Sequence, residues 1–247
     1  MKRILEVCAG SVESVVAARN GGAGRVELCA ALEIGGTTPS AGLIAEARQI
    51  EGIQLNVLIR PRGGDFLYNE AEIRCMIRDI EMAHQLGADG VVIGALTSQG
   101  NIDKDCCSRL INAAGSMSVT FHRAFDMCCN PLNALEDIID MGCHRILTSG
   151  QAPSVIKGSA LIKQLIDKAN NRIIIMPGCG VNAHNATTII KETSATEIHA
   201  SARTVVSSLM QYRNESVSMG NSDYDEYSHM ESDIDIIKQI VEAINNI

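Results

Sequence analysis

The sequence predicts an α/β fold in which eight strand–helix units close into one barrel. Three observations carry this. Short, near-continuous apolar runs alternate with helix-length segments, the pattern of a parallel sheet covered on both faces. Eight such units fit within 247 residues, the count and size of a closed (β/α)8 or TIM barrel. The runs also keep ending in charged or glycine-rich clusters, which ring closure would gather at one rim, where such barrels carry their sites. An open doubly wound sheet is the alternative. No linker, second domain or low-complexity tract is evident, so residues 1–247 read as one domain.

Taken in order, Arg3-Ile4-Leu5-Glu6-Val7-Cys8 is the first strand. Ser11 stands where it can cap a helix over 11–20, and Gly21-Gly22 ends that helix. Arg25-Val26-Glu27-Leu28-Cys29 is the second strand and echoes the first. A helix near 40–49 and a strand near 54–60 follow. Over 69–86, Ile73, Met76, Ile77, Ile80 and Ala83 recur at the spacing of one helix face; Gly87 stops it. Then come a strand at 89–93, a helix at 103–114 and a strand at 118–122. Pro131 opens a helix over 131–141. Strand 144–148, helix 154–169, strand 172–176, helix 182–192 and strand 196–200 complete the alternation, and a last helix spans 232–246. Residues 204–231 break the rhythm. They are rich in Ser, Asn, Asp and Tyr and are expected as a long irregular loop after the eighth strand, on the active rim.

Composition narrows the partners. A formal charge of -8 argues against nucleic acid, whose phosphates attract basic surfaces. No apolar stretch is long enough to span a bilayer, and Glu6 interrupts the apolar start, unlike a secretory signal. Nine Cys is an odd number, so intrachain disulfides cannot use them all. A cytoplasmic protein with reduced thiols is expected. Aromatic residues are 3%, with no Trp, which leaves little surface for stacking bases or sugars.

Glu6 and Glu27 are odd by local rules, because each sits inside an apolar strand. A buried carboxylate is costly unless paired or metal-bound. Either residue can serve as acid, base or ligand, or pair with Arg60, Arg123 or Arg203. These arginines and Arg62 stand at strand ends, and their forks match carboxylate or phosphate; Asp65 and Asp126 are alternative salt-bridge partners for them and further ligand candidates. His122 and His199 end the fifth and eighth strands and can move protons or bind metal. His84, His144, His184 and His229 read as structural. Gly178-Cys179-Gly180, ahead of a helix opening near Asn182, has the pattern of a phosphate cradle, with Gly178 and Gly180 as its backbone. Ser201, after the eighth strand, faces the same rim. Cys8 and Cys29 end the first two strands, where two thiolates can hold a soft metal such as Cu(I); buried Cys is also a small hydrophobe. Cys106-Cys107 and Cys128-Cys129 are adjacent pairs and poor chelates.

Glu-Val-Cys (6–8), Arg-Val-Glu-Leu-Cys (25–29), Gly-Gly-Thr-Thr-Pro-Ser (35–40), Arg-Pro-Arg-Gly-Gly-Asp-Phe (60–66), Thr-Phe-His-Arg-Ala-Phe-Asp (120–126), Leu-Thr-Ser-Gly (147–150) and His-Ala-Ser-Ala-Arg (199–203) together resemble the CutC family, named for copper homeostasis. The match runs from about residue 4 to about residue 220. The resemblance implies a TIM barrel, a cytoplasmic location, a homodimer or homotetramer, and a link to copper tolerance or Cu(I) binding. Cys8 and Cys29 fall where copper-binding members have cysteines, and Ser149 joins the ligand-binding candidates. Cys179 replaces a third glycine, and the segment after Gly220 departs most. Three readings follow: a copper-homeostasis protein holding Cu(I) on Cys8 and Cys29; an isomerase, lyase or metal-assisted hydrolase acting on a small anionic or phosphorylated metabolite; and a non-catalytic scaffold.

Overall fold

The apolar runs form eight parallel strands, and their spatial order follows their order in the chain. This computed structural model describes residues 3–217, 219 and 225–247. The strands are β1 (Ile4–Ala9), β2 (Arg25–Leu28), β3 (Gln54–Leu58), β4 (Gly90–Ile93), β5 (Ser118–Phe121), β6 (Arg145–Thr148), β7 (Ile174–Pro177) and β8 (Glu197–Ala200). Neighbours pair in parallel from β1 through β7, and β8 pairs with β1. β7 and β8 lie side by side without ladder bonds, so the ring is nearly closed. The result is a TIM barrel.

The helices follow local signals. In α1 (Val12–Gly21), Ser11 accepts the Ser14 N–H, as its position predicts. α2 (Ala41–Arg48) is capped by Ser40 in the same way. Asn69 and Glu72 make a reciprocal capping box on α3 (Glu70–Gln85), whose buried face is Ile73, Met76, Ile80 and Ala83. α4 (Lys104–Ala114) starts from Asp103, and α5 (Pro131–Asp140) from Asn130 with Pro131 at its first position. α6 (Ser159–Ala169) and α7 (Ala186–Thr193) begin later than the sequence suggests. Turns occupy 155–158 and 183–185 instead, and Asn182 and Asn185 satisfy each other's backbone there. α8 (Ile234–Asn245) buries Ile237, Ile240 and Ile244 completely, each worth about 1.5–3 kcal/mol. It packs on α1 so closely that a Cβ on Gly21 would come 2.4 Å from Ile237.

The connection at 204–231 is not irregular throughout. Its ends pair as an antiparallel ribbon, β9 (Arg203–Ser207) with β10 (Ser228–Ser232). Ser232 ties the ribbon to the barrel, donating its N–H to Ser14 and its hydroxyl to the Ser201 carbonyl. Residues 218 and 220–224 of this connection lie outside the described residues.

Candidate functional site

At the C-terminal ends of the strands lies a pocket of about 310 Å³. Its polar wall includes Cys8, Glu27, Cys29, Arg60, His122, Arg123, Gly180, His199, Ser201 and Arg203, drawn from almost the whole ring. Leu58, Phe66, Leu147 and Val181 supply an apolar wall. Barrel closure therefore brings together the clusters expected to meet.

Glu6 is corrected. It does not reach this pocket, and its partner is neither Arg60, Arg123 nor Arg203. The β1–β2 register sets Glu6 beside Arg25, and the β1–β8 register sets it beside His199. The buried Arg25 guanidinium donates to both Glu6 and Glu197, and Arg145 donates to Glu197 at 2.9 Å. These groups sit toward the N-terminal ends of the strands, one layer beneath the pocket. Burial alone would raise the Glu6 carboxyl, but Arg25 and His199 overcome it and hold the group down to about 2. Glu6 is thus a permanent anion that orients His199, accepting at 2.8 Å from Nδ1.

Above this layer the sulfurs of Cys8 and Cys29 are 3.7 Å apart. The ligand atoms of Cys8, Cys29 and Glu27 all lie within 4.8 Å of one another. The shared proton between the thiols lowers Cys8 to about 5 against the cost of burial, with His199 and Arg203 helping. Cys29, deeper and beside an ionised Cys8, is pushed well up. Burial, then the Cys8 charge, raises Glu27 to about 8. The His199 Nε2 is 3.7 Å from Glu27; burial disfavours its charge, but Cys8, Glu6 and Glu27 outweigh that and raise it well above the usual range. The floor of the pocket therefore holds a thiolate, a thiol and a carboxyl group beneath an imidazolium.

The opposite side is built differently. His122 is buried and accepts the Ala124 N–H on Nδ1 at 3.1 Å. Gly94 makes room for it: a Cβ there would be 2.5 Å from the imidazole. Burial, then Arg60, lowers His122 to about 3, so it is neutral. Arg60 is tied by its terminal nitrogens to the carbonyls of Ile34, Gly36 and Gly64. Arg123 pairs with Asp126 at 2.7 Å and donates to Ser149.

Five other expected ligand residues stand behind or outside the wall. Arg62 and Asp65 face away, bound to each other, with Arg62 also on Glu72; the Gly63-Gly64 turn carries them outward. Asp126 and Ser149 support Arg123 from behind, and Asp126 also takes the Ser149 and Gln151 N–H groups. Gly178 lies against Leu147 and His199, and only Gly180 lines the pocket. The phosphate-cradle expectation is also corrected, because α7 opens at Ala186 and not beside the glycines. Arg25 and Glu197 were missed; each is the charged first residue of an otherwise buried strand, which was the available signal.

The CutC family model matches residues 3–204, a span that holds every residue of the pocket named above. The chain belongs to the CutC family. It is 56% identical over 223 residues to the family protein CutC of Parabacteroides distasonis, covering 90% of this chain and 92% of that one. It is 48% identical over 238 residues to the copper homeostasis protein cutC homolog of Mus musculus, covering 96% and 88%. The crystal structure of CutC from Streptococcus agalactiae superposes with a TM-score of 0.78 at 38% identity, covering 81% of this chain and 98% of that one.

More distant likenesses concern the fold alone. Thiamine phosphate pyrophosphorylase from Pyrococcus furiosus matches with a TM-score of 0.62 at 15% identity, covering 99% of this chain and 96% of that one. The match to the CutC family model ends two residues into β9, so most of the ribbon and all of α8 lie beyond it. No helix among the described residues is long and apolar enough to cross a membrane.

Proposed function

We propose that this chain binds Cu(I) through Cys8 and Cys29 as a copper-homeostasis protein. The observation that carries the reading is the 3.7 Å approach of two unbridged sulfurs on adjacent strands at the bottom of an open pocket. The donor set fits the ion: thiolate is the soft ligand that selects Cu(I), and one of the pair is already held ionised. His199 and Arg203 offset the negative charge of a dithiolate. Glu27 is the third group within reach, a harder donor that suits a soft ion less well. The names of the mouse and streptococcal relatives point the same way. The reading requires reduced thiols, the state a cytoplasmic location supports.

Anaerobic titration of the reduced protein with Cu(I) against a competing chelator tests the reading. One ion per chain is expected, with binding lost in the Cys8→Ser, Cys29→Ser double variant. Unchanged binding in that variant defeats it.

A further inference from the structure

Two arginines in the pocket have no carboxylate partner among the described residues. Arg60 is 5% exposed. Its terminal nitrogens donate to carbonyls, and its Nε–H is buried with no acceptor in hydrogen-bond geometry, although the neutral Tyr68 hydroxyl is near enough to feel its charge. Arg203 also lacks a carboxylate partner among the described residues, and its Nε–H is likewise buried without an acceptor. Arg123 differs, since Asp126 already neutralises it. A buried cation with no counter-charge is unfavourable, and buried donors in folded proteins are nearly always satisfied.

A third orphan donor joins them. His122 is 5% exposed, and its Nδ1 is used as an acceptor by the Ala124 N–H. The proton of the neutral ring must therefore sit on Nε2, which is buried and has no acceptor among the described residues. The three side chains come from the ends of β3 and β5 and from the start of β9, yet line one pocket. The Phe66 ring touches two of them, 5.0 Å below the Arg60 guanidinium carbon and 5.1 Å from the His122 ring.

We propose that Arg60, His122 and Arg203 form an oxyanion-binding arc that takes the carboxylate or phosphate group of a small organic acid. Two cations without a carboxylate partner and three N–H donors without an acceptor call for a partner with negative charge and several lone pairs. The neutral imidazole suits the role, because it donates without adding charge and keeps its proton on Nε2 at physiological pH. The Leu58, Phe66, Leu147 and Val181 wall calls for an apolar body on the ligand, so a bare inorganic ion leaves part of the site unused. A pocket of about 310 Å³ is at the small end for ligand sites. This site uses different donors from the thiol pair, although both open into the same pocket and the Arg203 charge also reaches Cys8.

The test uses the full-length, reduced, metal-free protein. Inorganic phosphate, glycerol 3-phosphate, 3-phenylpropionate and the neutral 3-phenylpropanamide are titrated by calorimetry, with the histidine ring nitrogens followed by NMR. At least one anion is expected to saturate the site and shift the His122 Nε2–H signal, while the amide does not bind. The phosphate and carboxylate arms decide which headgroup is preferred. Arg203→Gln should weaken binding by about tenfold or more. The Cys8→Ser, Cys29→Ser double variant loses a negative charge near Arg203 and should bind the anion at least as tightly as the native chain does, so failure of the copper reading and failure of this one are separable. The proposal is overturned if no anion binds below about 10 mM, if the amide binds as well as the acid, or if Arg203→Gln leaves affinity unchanged. The NMR signal of the native His122 needs no variant, so misfolding of a His122 substitution does not shield the idea.

Discussion

The Arg25 guanidinium donates to the Glu6 carboxylate between neighbouring strands, where neither side chain meets solvent. Arg25 also bonds Glu197, so one cation serves two buried anions. Removing it leaves Glu6 with His199 and Glu197 with Arg145, each short of charge. Breaking a buried pair from one side typically costs about 3–5 kcal/mol. Arg25→Met should therefore lower the thermal midpoint by roughly 6–20 °C for a domain of this size. A midpoint within a degree or two of the native value would show that the network contributes little.

The same network sets an acid limb. Glu6 ionises near 2 in the fold and near 4.5 when unfolded, so its contribution is present above 4.5 and is lost as pH falls toward 2. At full burial that difference is worth ~3 kcal/mol. His122 acts in the same sense from about 6.5 downward, because the unfolded ring takes a proton that the folded ring refuses. Glu27 opposes them: its raised value makes the fold lose stability as pH rises from 4.5 toward 8. Between 4.5 and 6.5 the effects of Glu27 and His122 offset each other. Cys8, ionised from about 5 in the fold but only near 9 when unfolded, adds stability as pH rises above 5, so the midpoint should rise modestly across that window and fall steeply below 4.5. Glu6→Gln should start lower but decline less over that range; parallel curves for the two proteins would refute the assignment to Glu6.

The barrel was legible because each strand is a short apolar run, and a run buried on both faces has no polar register to hide. The two glutamates were legible for the opposite reason, as charges where none belongs. Arg25 was not, because a charged first residue also looks like a strand emerging into solvent; only the β1–β2 register places it inward beside Glu6. Arg62 and Arg60 differ by two positions, yet one faces Glu72 outside and the other the pocket. Tertiary partners hold the two apart, the Ile34, Gly36 and Gly64 carbonyls for Arg60 and Glu72 with Asp65 for Arg62, and sequence spacing does not encode them. The β9–β10 ribbon pairs residues 21 to 29 positions apart across a polar segment, with no hairpin signal to announce it.

Gly94 is the least forgiving glycine beside the site. A methyl group there would lie 2.5 Å from both Nδ1 and Cε1 of His122 and 3.1 Å from the Ala124 side chain. The Phe66 ring packs 5.1 Å away, so the imidazole has little room to yield. Gly94→Ala should cost about 1–3 kcal/mol, as overpacking does, and should break the Ala124 N–H bond to His122. Thermal denaturation reads the first effect and the Ala124 amide shift the second. An unmoved amide signal would mean that the ring is not held as described.

Cys8 should be the most reactive thiol near pH 6, although Cys75 and Cys129 are more exposed. At about 5 in the fold, Cys8 is mostly thiolate at that pH, against about one part in a thousand for an ordinary thiol near 9. A weaker base is also a weaker nucleophile, which takes back about two of those three orders of magnitude. A net advantage of about tenfold remains. Brief iodoacetamide treatment at pH 6, followed by peptide mass mapping, should find Cys8 modified ahead of Cys75 and Cys129. His199→Gln should erase the lead, because the imidazolium beside Cys8 helps to hold it ionised. One equivalent of Cu(I) should protect Cys8 while leaving Cys75 and Cys129 open. Labelling of Cys75 before Cys8 in the native protein would mean that the pocket does not hold a thiolate, and the charge argument for a soft ion at its floor would fail with it.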